Sequence, residues 1–327
     1  MLTLRTNCFL LLCCLLLILS RQAAAQELFP LSEPASTMPK KVLGLREMSQ
    51  FYTQKNALRN RNALRVMYGA SSRLTVMATL SMANHHPDVL SPEYPTNHNH
   101  NTKISYPYRL NGVHAYAKYR FLSHDGENRH LRMALYGEAA YMKVAHDEAE
   151  PELMDDNSGW GTGLICTYLY RKFAVSFSGG LVKPANYQGK VLDAIPSLPY
   201  VPVKIHYPYG TMFNLSFGYL LFPRQYTSYK QTNWNLYVEL TGKTFGAPDV
   251  YLADPVSSTD EPLVYHKVYT RSNPLLDKGY YVNMHYGIQC IIRSNLRVEG
   301  TIGFPMIKRS LIPDYPLINI GIQRYFY

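Results

Sequence analysis

Arg65-Val66-Met67-Tyr68-Gly69-Ala70-Ser71-Ser72-Arg73-Leu74-Thr75-Val76-Met77-Ala78-Thr79-Leu80-Ser81-Met82 is the stretch on which the fold turns. In its second half Leu74, Val76, Ala78, Leu80 and Met82 alternate with Arg73, Thr75, Met77, Thr79 and Ser81. A period of two is that of an extended strand, whose successive side chains point to opposite faces. The small triplet Ala70-Ser71-Ser72 before it reads as a tight turn, so the whole stretch predicts a hairpin.

The same pattern recurs along the chain. Val113, Ala115, Ala117, Tyr119 and Phe121 alternate with polar neighbours, as do Phe213, Leu215, Phe217, Tyr219 and Leu221. Leu296, Val298, Gly300, Ile302 and Phe304 repeat it near the C-terminus. Twelve segments are predicted as strands: roughly 40–50, 60–69, 73–83, 111–122, 131–142, 161–171, 173–182, 210–222, 233–243, 279–292, 296–304 and 317–327. Each has the length a tilted strand needs to cross a bilayer's hydrocarbon. Tight turns at 70–72, 171–172 and 293–295 alternate with long polar connections at 83–111, 142–161, 182–210 and 243–279. An up-and-down barrel in a membrane predicts that alternation, with short turns on one side and long loops on the other. The 223–232 connection is long for a turn, and the outer loop near 51–59 is short. With both termini on one side the strand number must be even; twelve fits, and ten or fourteen would if a segment were merged or split.

Composition points the same way. Hydrophobic residues make up 46% of the chain, with 28 Tyr and only 2 Trp, yet no segment after the N-terminus is a long apolar run. A barrel in lipid spreads apolar residues over alternate positions and sets Tyr at the two interfaces. The final Ile318-Asn319-Ile320-Gly321-Ile322-Gln323-Arg324-Tyr325-Phe326-Tyr327 is an amphipathic strand ending in aromatics, the kind of end that barrel-insertion machinery reads.

The N-terminus carries an export signal. Arg5 precedes the apolar run Phe9–Leu19, and Ala23-Ala24-Ala25 offers a cleavage site. A spanning helix needs about 20 apolar residues, more than this run has. The division expected is a signal peptide over 1–25, a periplasmic N-terminal segment over 26–39 and a barrel over 40–327. Cys8, Cys13 and Cys14 leave with the signal, so Cys166 and Cys290 remain and no disulfide framework is predicted. The formal net charge is +10, or +8 without residues 1–25. The basic residues are spread singly, so an anion-tolerant lumen is a better reading than nucleic-acid binding.

The motif at 65–76, of the form RYG-turn-RL, is similar to the strand–turn–strand motif of the phenol meta-pathway (MetA-type) outer-membrane transporters. Met82-Ala83-Asn84-His85-His86, Tyr116–Ser123, His146–Leu153 and Gly161–Ser176 resemble uncharacterised Bacteroidota barrels loosely assigned to that group. The resemblance covers most of the chain after the signal. It implies an all-β barrel in the outer membrane that passes small solutes, and it carries over no catalytic residue and no substrate.

Alternation assigns the lumen-facing polar set as Arg65, Arg73, His114, Lys118, Arg120, Arg132, Glu138, Glu239, His285, Arg297 and Glu299. A charge facing lipid costs roughly 2–4 kcal/mol at the midplane, so these should face inward. They form either a plug of salt bridges or a polar path, and an inward-folded loop could narrow either. His85, His86, His98 and His100 in the loop 84–110, with the acidic loop 143–160, form a candidate divalent-metal site. The acidic loop could equally hold divalent ions at a lipopolysaccharide surface. No His-x-Ser, GxSxG or HExxH motif is present, which argues against a lipid hydrolase. The functional expectation is an outer-membrane channel for a small solute of unknown identity, with a metal-related solute as its sharpest version. A structural or adhesive barrel is the rival, its aromatic loop 183–209 docking a partner.

Overall fold

A computed structural model describes residues 29–54, 57–84, 106–143, 149–154, 156–192, 200–225, 228, 230–252, 261–262, 276–309 and 315–327. Twelve antiparallel strands close into a barrel in the order β1-β16-β15-β14-β11-β10-β7-β6-β5-β4-β3-β2. They are β1 Leu43–Gln54, β2 Ala57–Gly69, β3 Leu74–Ala83, β4 Arg109–Asp125, β5 Arg129–Met142, β6 Gly159–Tyr170 and β7 Phe173–Pro184, followed by β10 Gly210–Phe222, β11 Asn233–Phe245, β14 Gly279–Ile292, β15 Leu296–Arg309 and β16 Leu317–Phe326. Each barrel strand pairs with the next along the chain, and β16 returns to β1 from Leu43↔Phe326 to Phe51↔Ile318. Closure leaves no sheet edge, the condition for placing strands in hydrocarbon.

All twelve predicted segments are barrel strands, with ends shifted by a few residues. The largest shift is in β15, which runs on to Arg309, while β4 runs on to Asp125 beyond a register break between Arg120 and Leu122.

Four further strands lie outside the barrel. β8 Tyr187–Leu192, β9 Tyr200–His206, β12 Asp249–Leu252 and β13 Glu261–Pro262 form their own sheet in the order β13-β12-β9-β8. Tyr187, Val203, Ile205, Tyr207, Val250 and Leu276 form its apolar core. The described parts of the β7–β10 and β11–β14 connections are therefore joined into one structure, and Tyr187 and Tyr207 are core residues of it rather than exposed docking aromatics.

Burial in the barrel is inverted relative to a water-soluble protein. Along β3 the inward Thr75, Thr79 and Ser81 are buried, while Val76, Leu80 and Met82 face out. Arg59, Lys118, Gln289, Gln323 and Glu239 are among the largest fully buried side chains. Leu135, Leu164, Phe177, Leu236, Ile288 and Ile320 are exposed. Water would penalise such a surface; lipid solvates it. Outward aromatics gather at both strand ends: Tyr68, Tyr168, Tyr170, Phe173 and Trp234 at the tight-turn end, and Tyr108, Tyr141, Trp160 and Tyr280 at the other. Two such girdles mark the two interfaces of a bilayer.

Candidate functional site

The lumen holds a piece of the chain itself. Residues 29–38 have no strand partner, so their backbone polar groups must find side chains. The Leu31 and Ser32 amides donate to the Glu239 carboxylate on β11, both at 3.0 Å. The Ser32 and Ser216 hydroxyls lie 2.6 Å apart. The Ala35 amide donates to Thr167 Oγ1 at 2.8 Å and the Met38 amide to Thr75 Oγ1 at 2.9 Å. Arg46 donates to the Pro30 carbonyl, Lys118 to that of Pro34 at 2.6 Å, and Arg132 to Ser36 Oγ at 3.0 Å. These bonds reach β1, β3, β4, β5, β6, β10 and β11, which together encircle the barrel. Only a segment lying within the cylinder can touch walls on all sides. The N-terminal segment expected in the periplasm is thus folded into the barrel over its described residues. The reason is physical: ten residues with prolines at 30 and 34 and no sheet to join are satisfied by an interior rich in hydroxyls, carboxylates and cations.

The segment is anchored at both of its ends. Phe29 is buried against Ala174 and Tyr237, its ring meeting Tyr237 edge-on at 5.7 Å. Where the segment leaves for β1, the Lys41 amide donates to the Gly69 carbonyl at 2.7 Å and the Gly69 amide to the Val42 carbonyl at 3.0 Å.

Glu33 is the charged centre of the contact. Arg65 holds one carboxylate oxygen at 2.7 Å and Lys118 the other at 3.3 Å. Burial alone would raise its pKa, but Lys118, Arg65 and Arg46 outweigh that and hold it at about 2. A second ionic group lies beside it, where Glu299 accepts from Arg46 at 2.6 Å and from Arg297 at 2.9 Å. On the β4–β5 wall His114 Nε2 lies 2.9 Å from Glu138.

The opposite mouth is narrowed by the β5–β6 connection. Ala149, Leu153 and Asn157 are buried. Glu152 meets Lys243 on β11 at 2.7 Å and Arg61 on β2 at 3.9 Å. Those strands are five places apart in a ring of twelve, almost opposite each other. Glu152 therefore sits across the mouth rather than on one wall. Burial pushes its carboxyl up, while Lys243 and Arg61 pull it down further, leaving it below the usual carboxylate range. Between the N-terminal segment and this loop lies a cavity of about 240 Å³, touched by Glu33 from below, Met154 from above and Arg46, Arg61 and Arg65 from the wall.

Eight of the predicted lumen residues are where alternation put them: Arg65, His114, Lys118, Glu138, Glu239, His285, Arg297 and Glu299 line the interior. Arg120 and Arg132 are half-buried at the tight-turn rim, where Arg120 donates to the Ser72 carbonyl and Arg132 pairs with Asp125. Arg73 is exposed within the turn itself: its parity is right, but the strand begins only at Leu74. Glu33, Arg46, Arg61, Glu152 and Lys243 went unrecognised. Arg46, Arg61 and Lys243 lie in predicted strands and parity could have found them; Glu33 and Glu152 lie on connections, where no period exists. His85, His86, His98 and His100 lie outside the described residues, and among the described residues no group of three His, Cys, Asp or Glu could hold a metal ion.

No protein family matches the chain, and no curated protein matches it in sequence. Solved structures do match. An outer-membrane channel from Pseudomonas putida F1 is similar over 92% of this chain and 100% of its own, with a TM-score of 0.56 at 13% identity. The toluene transporter TbuX of Ralstonia pickettii is similar over 94% of this chain and 97% of its own, with a TM-score of 0.42 at 12% identity. The fold is that of an outer-membrane β-barrel. At such identities the likeness to the Pseudomonas channel is one of architecture, and it agrees with the inverted burial of this barrel.

Proposed function

We propose that this chain is an outer-membrane channel for small solutes, held closed by its own N-terminal segment and by the β5–β6 loop. One observation carries the reading: two connecting segments enter the lumen and are fastened there by ion pairs and hydrogen bonds to the inward side chains of the strands. Strand side chains cannot leave the lumen without breaking the barrel, whereas segments held by ion pairs and hydrogen bonds can be displaced. The basic lining supports passage of anions or neutral solutes over bare metal cations. The fold of the Pseudomonas channel supports a transporter over an enzyme, and it leaves the MetA-type assignment, the Bacteroidota origin and the solute as part of this proposal.

The remaining expectations belong to the same proposal. Residues 1–25 act as the export signal, the Phe326-Tyr327 end engages the insertion machinery, and lipopolysaccharide surrounds the outer end. If the four loop histidines hold a metal, replacing all four with Ala will weaken zinc binding measured by calorimetry; equal affinity ends that idea. The outer four-stranded sheet, with its own apolar core, favours an adhesive barrel as the second reading.

Planar-bilayer recording of refolded protein separates them. A channel shows conductance steps, and E33A/E239A, which unfastens the N-terminal segment at two points, raises the open fraction severalfold. Silence from both proteins, with no solute leak from liposomes, rejects the channel and leaves the adhesive reading.

A further inference from the structure

The cavity between the two closures is lined on several sides and contacted by both of them. Its volume of about 240 Å³ is that of roughly eight waters at ~30 Å³ each, room for a solute of about eight non-hydrogen atoms. Its charged lining is Arg46, Arg61, Arg65, Glu33 and Glu299, an excess of one positive charge. Gln50, Asn319 and Thr301 add neutral polar groups, and Met48, Met154 and Ala63 add an apolar side.

Arg65 is the residue that matters most here. It is buried, and it stands on β2 between the closures. Its Nε donates to Thr79 Oγ1 at 3.2 Å and one terminal nitrogen to Glu33 at 2.7 Å. The other terminal nitrogen meets the thioether of Met154 at 3.9 Å. A guanidinium carries five N–H donors, and a thioether is a weak acceptor. The outward edge of the fork thus faces the cavity region with donor capacity that sulfur satisfies poorly. A carboxylate is the group that matches two such N–H donors at once.

We propose that this chamber binds a small organic monoanion, a short-chain carboxylate whose charged end is taken by Arg65 and Arg61 and whose apolar end lies against Met48, Met154 and Ala63. The proposal rests on the reading of the chain as a channel only for its meaning, since binding is measurable without transport. A bound anion neutralises the excess charge of the lining. It also competes with Met154 for Arg65 and with Glu152 for Arg61, so it loosens the outer loop from the wall.

Calorimetric titration of the full-length refolded protein with hexanoate and with its neutral analogue hexanamide tests this. Hexanoate should bind with one-site stoichiometry, at least tenfold more tightly than hexanamide. R65Q should weaken hexanoate at least tenfold and leave hexanamide within a factor of two. Because R65Q also disturbs Glu33, A63L provides a second variant: it fills the chamber from β2 without altering a charge, and should weaken both compounds. Equal affinity for hexanoate and hexanamide, or hexanoate affinity unchanged in A63L, overturns the proposal. Conductance recorded on the same samples keeps the two claims apart. Selective hexanoate binding in a silent barrel sinks transport and leaves the site; conductance without selective binding does the reverse.

Discussion

Glu33 shows how one residue far from any strand controls the lumen. Two cations on opposite flanks hold its carboxylate, and its pKa is depressed to about 2 from an ordinary 4.5. A carboxyl whose pKa is lower in the folded state stabilises at pH values above its unfolded pKa, and that stabilisation is lost as pH falls through the folded value. The hold on the N-terminal segment is therefore complete above about pH 4.5 and fails progressively toward pH 2. Bilayer recordings between pH 7 and 3 should show the open fraction rising as pH falls in the native protein. Glu33→Gln leaves Lys118 and Arg65 without their anion, a loss on the order of 3 kcal/mol. That variant should already be open more often at pH 7 and respond far less to acid. Identical pH profiles for the two proteins would show that Glu33 does not fasten the segment.

At the scale of elements, the two closures differ in how they are built. The N-terminal segment is tied to β2 by backbone bonds at Gly69, where there is no room for a side chain: a Cβ there would lie 2.0 Å from the Pro39 carbonyl oxygen. Gly69→Ala must push the 39–42 turn away, and the segment with it, while the β2–β3 ladder has no such conflict. Proteolysis is expected to cut within residues 29–42 in that variant and to leave the barrel resistant; equal resistance of both regions would refute the tether. The β5–β6 loop is instead tied by ions, through Glu152 to Lys243 and Arg61. Glu152→Ala removes the charge that spans the mouth. Single-channel conductance should rise, and anion preference should rise with it, because two cations lose their partner. A fall in anion preference would place Glu152 outside the solute path.

The whole molecule is held by a division of solvents. Leu135 stands outward near the middle of β5, and Lys118 stands inward and buried on β4. Leu135→Arg puts a charge in hydrocarbon at a cost of roughly 2–4 kcal/mol. Reversible unfolding from liposomes in urea should register that loss. The same change at the half-buried rim residue Lys172 should be almost silent. Similar stability changes at both positions would mean that lipid does not solvate the outer face.

The twelve barrel strands and the inward place of Arg65, His114, Lys118, Glu239, His285, Arg297 and Glu299 were legible in the sequence, because a period of two is written residue by residue and each strand carries its own copy. Glu33 and Glu152 had no such signal. Their partners are Lys118, 85 positions along the chain, and Lys243, 91 positions along, and only the curvature of the closed sheet brings such groups together. The sequence by itself determined which face of each strand meets lipid, since that depends on neighbours one and two residues away. What fills the lumen was decided by the tertiary structure, since it depends on which distant cations need an anion once the barrel has closed around them.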